Sequence, residues 1–108
     1  MTTAAIFQAL GDPTRQAVVE RLTQGPATVS QLAAEHSMSL PGFLKHLRVL
    51  AEAGVVIRSK TGRVVTCTLE PEALQQAADW LGDRTAFWNS SLDRLAALLD
   101  EPDPTTKE

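Results

Sequence analysis

Five basic side chains, Lys45, Arg48, Arg58, Lys60 and Arg63, fall between residues 41 and 66 of a 108-residue chain whose formal net charge at pH 7 is -3. Glu52 is the one acid among them, so this segment carries +4, while residues 1–40 carry -1, residues 67–99 carry -3 and residues 100–108 another -3. A basic island inside an acidic chain suits a phosphate-binding face, because clustered ammonium and guanidinium groups attract and hydrogen-bond phosphate oxygens. Other chemistries find fewer residues. The softer metal ligands are Cys67, His36 and His46, and a zinc site normally needs three or four donors in tetrahedral reach. Asp79 and Asp83 stand i and i+4 on a predicted helix, with no imidazole nearby, and read as exposed helix surface. There is no Gly-rich phosphate loop, no G-x-S-x-G elbow and no H-E-x-x-H pair, so neither catalysis nor a bound cofactor or metal is expected.

The elements that must position the basic island follow from caps and periodicity. Thr2 or Thr3 opens a first helix that carries Ile6, Phe7 and Leu10 and stops at Gly11. Asp12-Pro13 restarts the chain with an N-cap acid and a proline at the first helical position, and Gly25-Pro26 ends that second helix. Thr28-Val29-Ser30-Gln31 has capping-box form and opens a third helix predicted over residues 28–36. Ser39 caps a fourth, in which Phe43, Leu47, Leu50 and Ala51 recur on one face and Gly54 supplies the stop. About three residues separate these last two helices, the outline of a helix-turn-helix. Two β-branched runs flank Lys60-Thr61-Gly62-Arg63 and predict a hairpin with a basic tip. The expected fold is therefore mostly α with a small β-hairpin, a winged helix-turn-helix.

From Pro71 to about Leu99 the chain is again helical, with Leu74, Leu81, Trp88 and Leu95 spaced by seven and Leu92 and Leu99 on the companion line. Such a heptad seam requires a partner surface. Trp80 and Phe87 form a second apolar line, so the helix is expected to pack on its own domain on one side and on another surface on the other, and Gly82 is a point where the helix is free to bend or split. Residues 1–100 are expected to form one DNA-binding and dimerisation domain, with residues 101–108 a disordered acidic tail. Cys67 has no second cysteine in the chain to pair with and reads as a small buried strand residue rather than a redox switch, although a lone thiol is able to bridge two subunits. No apolar run approaches the ~18–20 residues of a membrane span, and the first residues lack a basic signal region, so a soluble cytoplasmic protein is expected.

Several segments together, Ala9-Leu10-Gly11-Asp12-Pro13-Thr14-Arg15, Val29-Ser30-Gln31-Leu32-Ala33, Met38-Ser39-Leu40-Pro41, Lys45-His46-Leu47-Arg48-Val49-Leu50 and Ala53-Gly54-Val55-Val56, resemble the ArsR/SmtB family of winged-helix regulators over residues 4–99. The resemblance implies a homodimer paired through its first and last helices, hence through Ile6 and Phe7 as well as Leu74, Leu81, Trp88, Leu92, Leu95 and Leu99. It further implies binding to double-stranded DNA at an inverted repeat in a bacterial nucleoid, and usually repression. Ser39, Gly42, Lys45 and His46 are then expected near bases or adjacent phosphates, Arg48 at a phosphate or in a surface ion pair, and Arg58, Lys60 and Arg63 beside the flanking groove. Arg15 fits an intramolecular ion pair as well as a DNA contact. Leu44 departs from the family's small polar residue and either meets a thymine methyl or packs internally. The family's metal-binding Cys and His positions are empty of such residues here, so a metal-independent regulator is expected, with its effector undefined. The alternative is a winged-helix module that docks an acidic protein through the basic hairpin.

Overall fold

The structure, a computed structural model, describes residues 1–100; the tail expected over residues 101–108 lies outside the described residues. Helices α1 (Thr3–Leu10) and α2 (Pro13–Leu22) lead into a short strand β1 (Ala27–Thr28). They are followed by α3 (Val29–Ala34), α4 (Leu40–Glu52), the strands β2 (Val56–Thr61) and β3 (Val64–Leu69), and a long α5 (Pro71–Asp100). The start of each of the first four helices is fixed by one polar side chain. Thr2, Asp12, Thr28 and Ser39 each accept a hydrogen bond from the backbone N–H three residues ahead, satisfying a donor that the helix itself leaves free. At α3 the box is complete, because Gln31 also accepts from the Thr28 N–H at 2.9 Å.

Helix ends are set the same way. The Val55 N–H reaches back to the Leu50 carbonyl and the Gly54 N–H to Ala51, a pairing that needs a left-handed residue, and Gly54 supplies it at φ +79°. α3 is shorter than expected because Glu35 and His36 donate to carbonyls only three residues back, tightening the last turn out of the α geometry. Residues 35–39 therefore join α3 to α4, somewhat more than the three anticipated. α2 likewise ends at Leu22, ahead of the Gly25-Pro26 stop.

The hairpin is as expected, with Val56 opposite Leu69 and Thr61 opposite Val64. Gly62 at φ +63° takes the first central position of its two-residue turn. β1 adds a third strand, giving the order β1-β3-β2, with Ala27 opposite Cys67. Two residues are too few to show alternation, so this strand left no periodic signal in the sequence.

The chain divides into two compact units, Met1–Ala77 and the chain from Ala78 onward. In the first, Phe43, Leu47 and Leu50 of α4 meet Ile6, Val18, Leu32, Val55 and Cys67, all 0–1 % exposed. Here an expectation is corrected: Ile6 is wholly consumed by its own chain's core and offers no pairing surface. Phe7 and Leu74 are half-buried against the edge of that core. α5 is continuous through Gly82, without the split considered above. Its buried residues are Ala73 and Ala77, and Trp80 and Phe87 are 40 % and 68 % exposed.

Candidate nucleic-acid interface

The site is built on α4. Turning Phe43, Leu47 and Leu50 into the core leaves Leu40, Pro41, Leu44, Lys45 and Arg48 exposed on the first three turns. Across from Leu40 and Leu44 stands the hairpin. Residues directly opposite in an antiparallel ladder share a face, so Arg58, paired with Cys67, and Lys60, paired with Val65, lie on the side of the sheet that holds the core. A groove of about 540 Å3 runs between the two elements, lined by Leu40, Leu44 and Leu47 of α4, by Arg58, Arg63, Val64 and Val65 of the hairpin, and by Thr28, Val29 and Ser30 at the start of α3. Arg58 and Arg63 are thereby brought to the same groove as the exposed face of α4. Lys60 is exposed on β2 but does not line the groove. Among the described residues no acid forms an ion pair with any of Lys45, Arg48, Arg58, Lys60 or Arg63. Guanidinium and ammonium groups without an internal counter-charge favour an external polyanion.

Three of the expected α4 residues have internal duties. Ser39 Oγ accepts the Gly42 N–H at 3.2 Å as the helix cap. A Cβ at Gly42 would lie 3.1 Å from that same oxygen, so the glycine has a reason inside the chain in addition to any external approach. His46 is half-buried, and its Nδ1 lies 3.1 Å from Arg15 Nη1 and 3.7 Å from Asp12 Oδ2. A guanidinium only donates, so in a hydrogen bond at the shorter distance Nδ1 is the acceptor. Arg15 also donates to the Ala9 and Gln8 carbonyls at 2.6 and 3.2 Å, tying the end of α1 to α2 and α4. The Arg15 guanidinium is thus engaged internally, through hydrogen bonds to carbonyls and an imidazole rather than through the ion pair expected. Sequence spacing did not signal this cluster, in which Arg15 and His46 are 31 residues apart.

The remaining candidates are placed as plainly. Cys67 is fully buried, and burial pushes its thiol above the ordinary range. His36 stacks on Phe43 with ring centroids 5.3 Å apart. Among the described residues no group of three or more His, Cys, Asp or Glu side chains is arranged to hold a metal ion, and no helix is long and apolar enough to cross a membrane. Leu81, Trp88, Leu92, Leu95 and Leu99 are 44–76 % exposed, a row of large apolar side chains without cover in the single chain. Such a row marks an interaction surface.

A helix-turn-helix domain family matches residues 10–58, from the end of α1 through α4 into β2. The chain is 38 % identical over 94 residues to the HTH-type transcriptional regulator Rv2034 of Mycobacterium tuberculosis, covering 87 % of this chain and 85 % of that protein. It is 29 % identical to the transcriptional repressor SdpR of Bacillus subtilis over 76 residues, 70 % of this chain and 84 % of the other. Among solved structures it resembles an ArsR family transcriptional regulator at 47 % identity and a TM-score of 0.76, with 81 % of this chain and 90 % of that one covered.

Proposed function

The chain belongs to the ArsR/SmtB family of winged helix-turn-helix, DNA-binding transcriptional regulators, and from that premise we propose that it is a metal-independent dimeric repressor of the bacterial cytoplasm that binds an inverted repeat. Residues 1–100 act as one DNA-binding and dimerisation unit. The observation that carries this reading is the exposed face of α4, with Lys45 and Arg48 uncompensated and with Arg58 and Arg63 of the hairpin lining one groove together with Leu40 and Leu44. With α4 in the major groove, Lys45 reaches a base edge or the adjoining phosphate. Arg48, Arg58, Lys60 and Arg63 hold the backbone, and Ser39, Gly42 and His46 fix the pose of the helix start. Pairing through the α5 row sets the two reading helices one helical turn of DNA apart, ~34–36 Å.

The test is selection from a random duplex library at near-physiological salt, followed by binding of the enriched duplex across a salt series. An enriched inverted repeat is expected. Its affinity should fall on the order of a thousandfold or more between about 50 and about 200 mM salt, weaken at least tenfold with Lys45→Ala, and stay the same in EDTA. A folded, dimeric protein that enriches no duplex contradicts the proposal and favours an acidic protein as the partner of the hairpin. Binding abolished by EDTA removes the metal-independent part alone.

A further inference from the structure

We propose that this chain reads its DNA site in large part through the 5-methyl groups of thymine, using Leu40 and Leu44. The inference rests on the DNA-binding reading above and extends it to the base chemistry recognised. Leu40 and Leu44 are one turn apart on α4, hence on one face, and they remain 54 % and 41 % exposed. Neither belongs to the core, so the fold does not require leucine at either position. Both line the groove that Arg58 and Arg63 share, the place where a DNA strand would be held by its phosphates.

The hydrogen-bonding alternatives on the same helix start are few. Pro41 has no N–H and no polar side chain, and Gly42 has no side chain at all. The Ser39 hydroxyl accepts the cap hydrogen bond and keeps its O–H as a donor, and the half-buried His46 has Nδ1 engaged by Arg15, which leaves Nε2. Lys45 is the one charged donor free on the first two turns, and it suits the O6 and N7 acceptors of guanine. Beside one charged donor and these few neutral groups, two exposed leucines give the reading helix a substantial apolar contact with the bases. In the major groove the apolar group on offer is the thymine methyl, which separates T from C and A·T from G·C.

The experiment uses the full chain and the duplex enriched by selection, with each thymine of a half-site replaced in turn by deoxyuridine. That exchange keeps base pairing and removes only the methyl. At one or two thymines per half-site the wild-type protein should lose about fourfold in affinity, and about sixteenfold when both half-sites are changed, as expected for one buried methyl each. In Leu44→Ala or Leu40→Ala the penalty at the matching thymine should vanish, while Leu44→Met, which keeps an apolar contact, should retain most of it. Circular dichroism and sedimentation verify that each variant is folded and has the wild-type oligomeric state. Uracil duplexes bound as tightly as thymine duplexes, penalties undiminished in both alanine variants, or an enriched repeat without thymine in its half-sites would each overturn the inference and leave the repressor reading standing. Failure to enrich any duplex removes both together.

Discussion

At the scale of single residues, one aspartate joins two structural tasks. Asp12 caps α2 by accepting the Arg15 N–H at 3.0 Å, and it stands beside the imidazole of His46 on the reading helix. Its carboxyl is held below the ordinary aspartate value, first by that backbone hydrogen bond, with desolvation opposing. A carboxyl depressed in the folded state contributes stability that is present above the ordinary aspartate value of 3.8 and is lost as pH falls through its folded value. Asp12→Asn should therefore melt below the wild type near neutral pH, and the two melting temperatures should converge from about pH 5 down to about pH 2. Parallel curves across that range would show that the carboxylate is not the group responsible. The residue identities around this cluster were legible, since Asp12-Pro13 announces a capped helix. The approach of His46 was not, because nothing local to Lys45-His46-Leu47 specifies what lies across the fold.

At the scale of elements, the helices and the hairpin were largely readable because caps and turns are local chemistry. Thr28 with Gln31, Ser39 with Pro41, and Gly54 all act within a few residues of where they stand. Two glycines give opposite predictions from this logic. Gly54 closes α4 at φ +79° with the Met1 sulfur 3.2 Å from where a Cβ would sit, so Gly54→Ala should cost about 1–2 kcal/mol. Gly82 lies inside the continuous α5 and an added Cβ meets nothing within 4 Å, so Gly82→Ala should raise stability by about 1 kcal/mol. Urea unfolding of the two variants checks both signs. A neutral Gly54→Ala would mean that the left-handed residue is not needed at that helix end. The strand β1 escaped the sequence because it exists only through its pairing with Thr66 and Cys67, almost forty residues away.

At the scale of the whole molecule, the apolar row on α5 and the basic face of α4 are expected to depend on each other in function. Leu92 and Leu95 are 44 % and 51 % exposed in the single chain, so replacing both with aspartate removes apolar contact and adds charge to the proposed pairing surface without disturbing a core. Sedimentation should show Leu92→Asp/Leu95→Asp as a folded monomer, and its affinity for an inverted repeat should drop at least a hundredfold, because each half-site then binds alone. A double variant that remains dimeric would move the pairing surface elsewhere. Ile6 is no candidate for that surface, since the chain's own core encloses it.

By itself the sequence determined the succession of capped helices and the hairpin with its basic tip, because each depends on side chains close to one another in the chain, and the basic island, which is a matter of composition. It also holds a single cysteine and no G-x-S-x-G or H-E-x-x-H motif, which are matters of inventory. Only the tertiary structure decided which of those residues remain available to a partner. It folded Ile6 inward, engaged His46 with Asp12 and Arg15, placed Arg58 and Arg63 across a groove from α4, and left Leu40 and Leu44 in the open. Packing between segments far apart in the chain sets exposure, and the spacing of residues along one helix is the same whichever neighbour the fold brings against it.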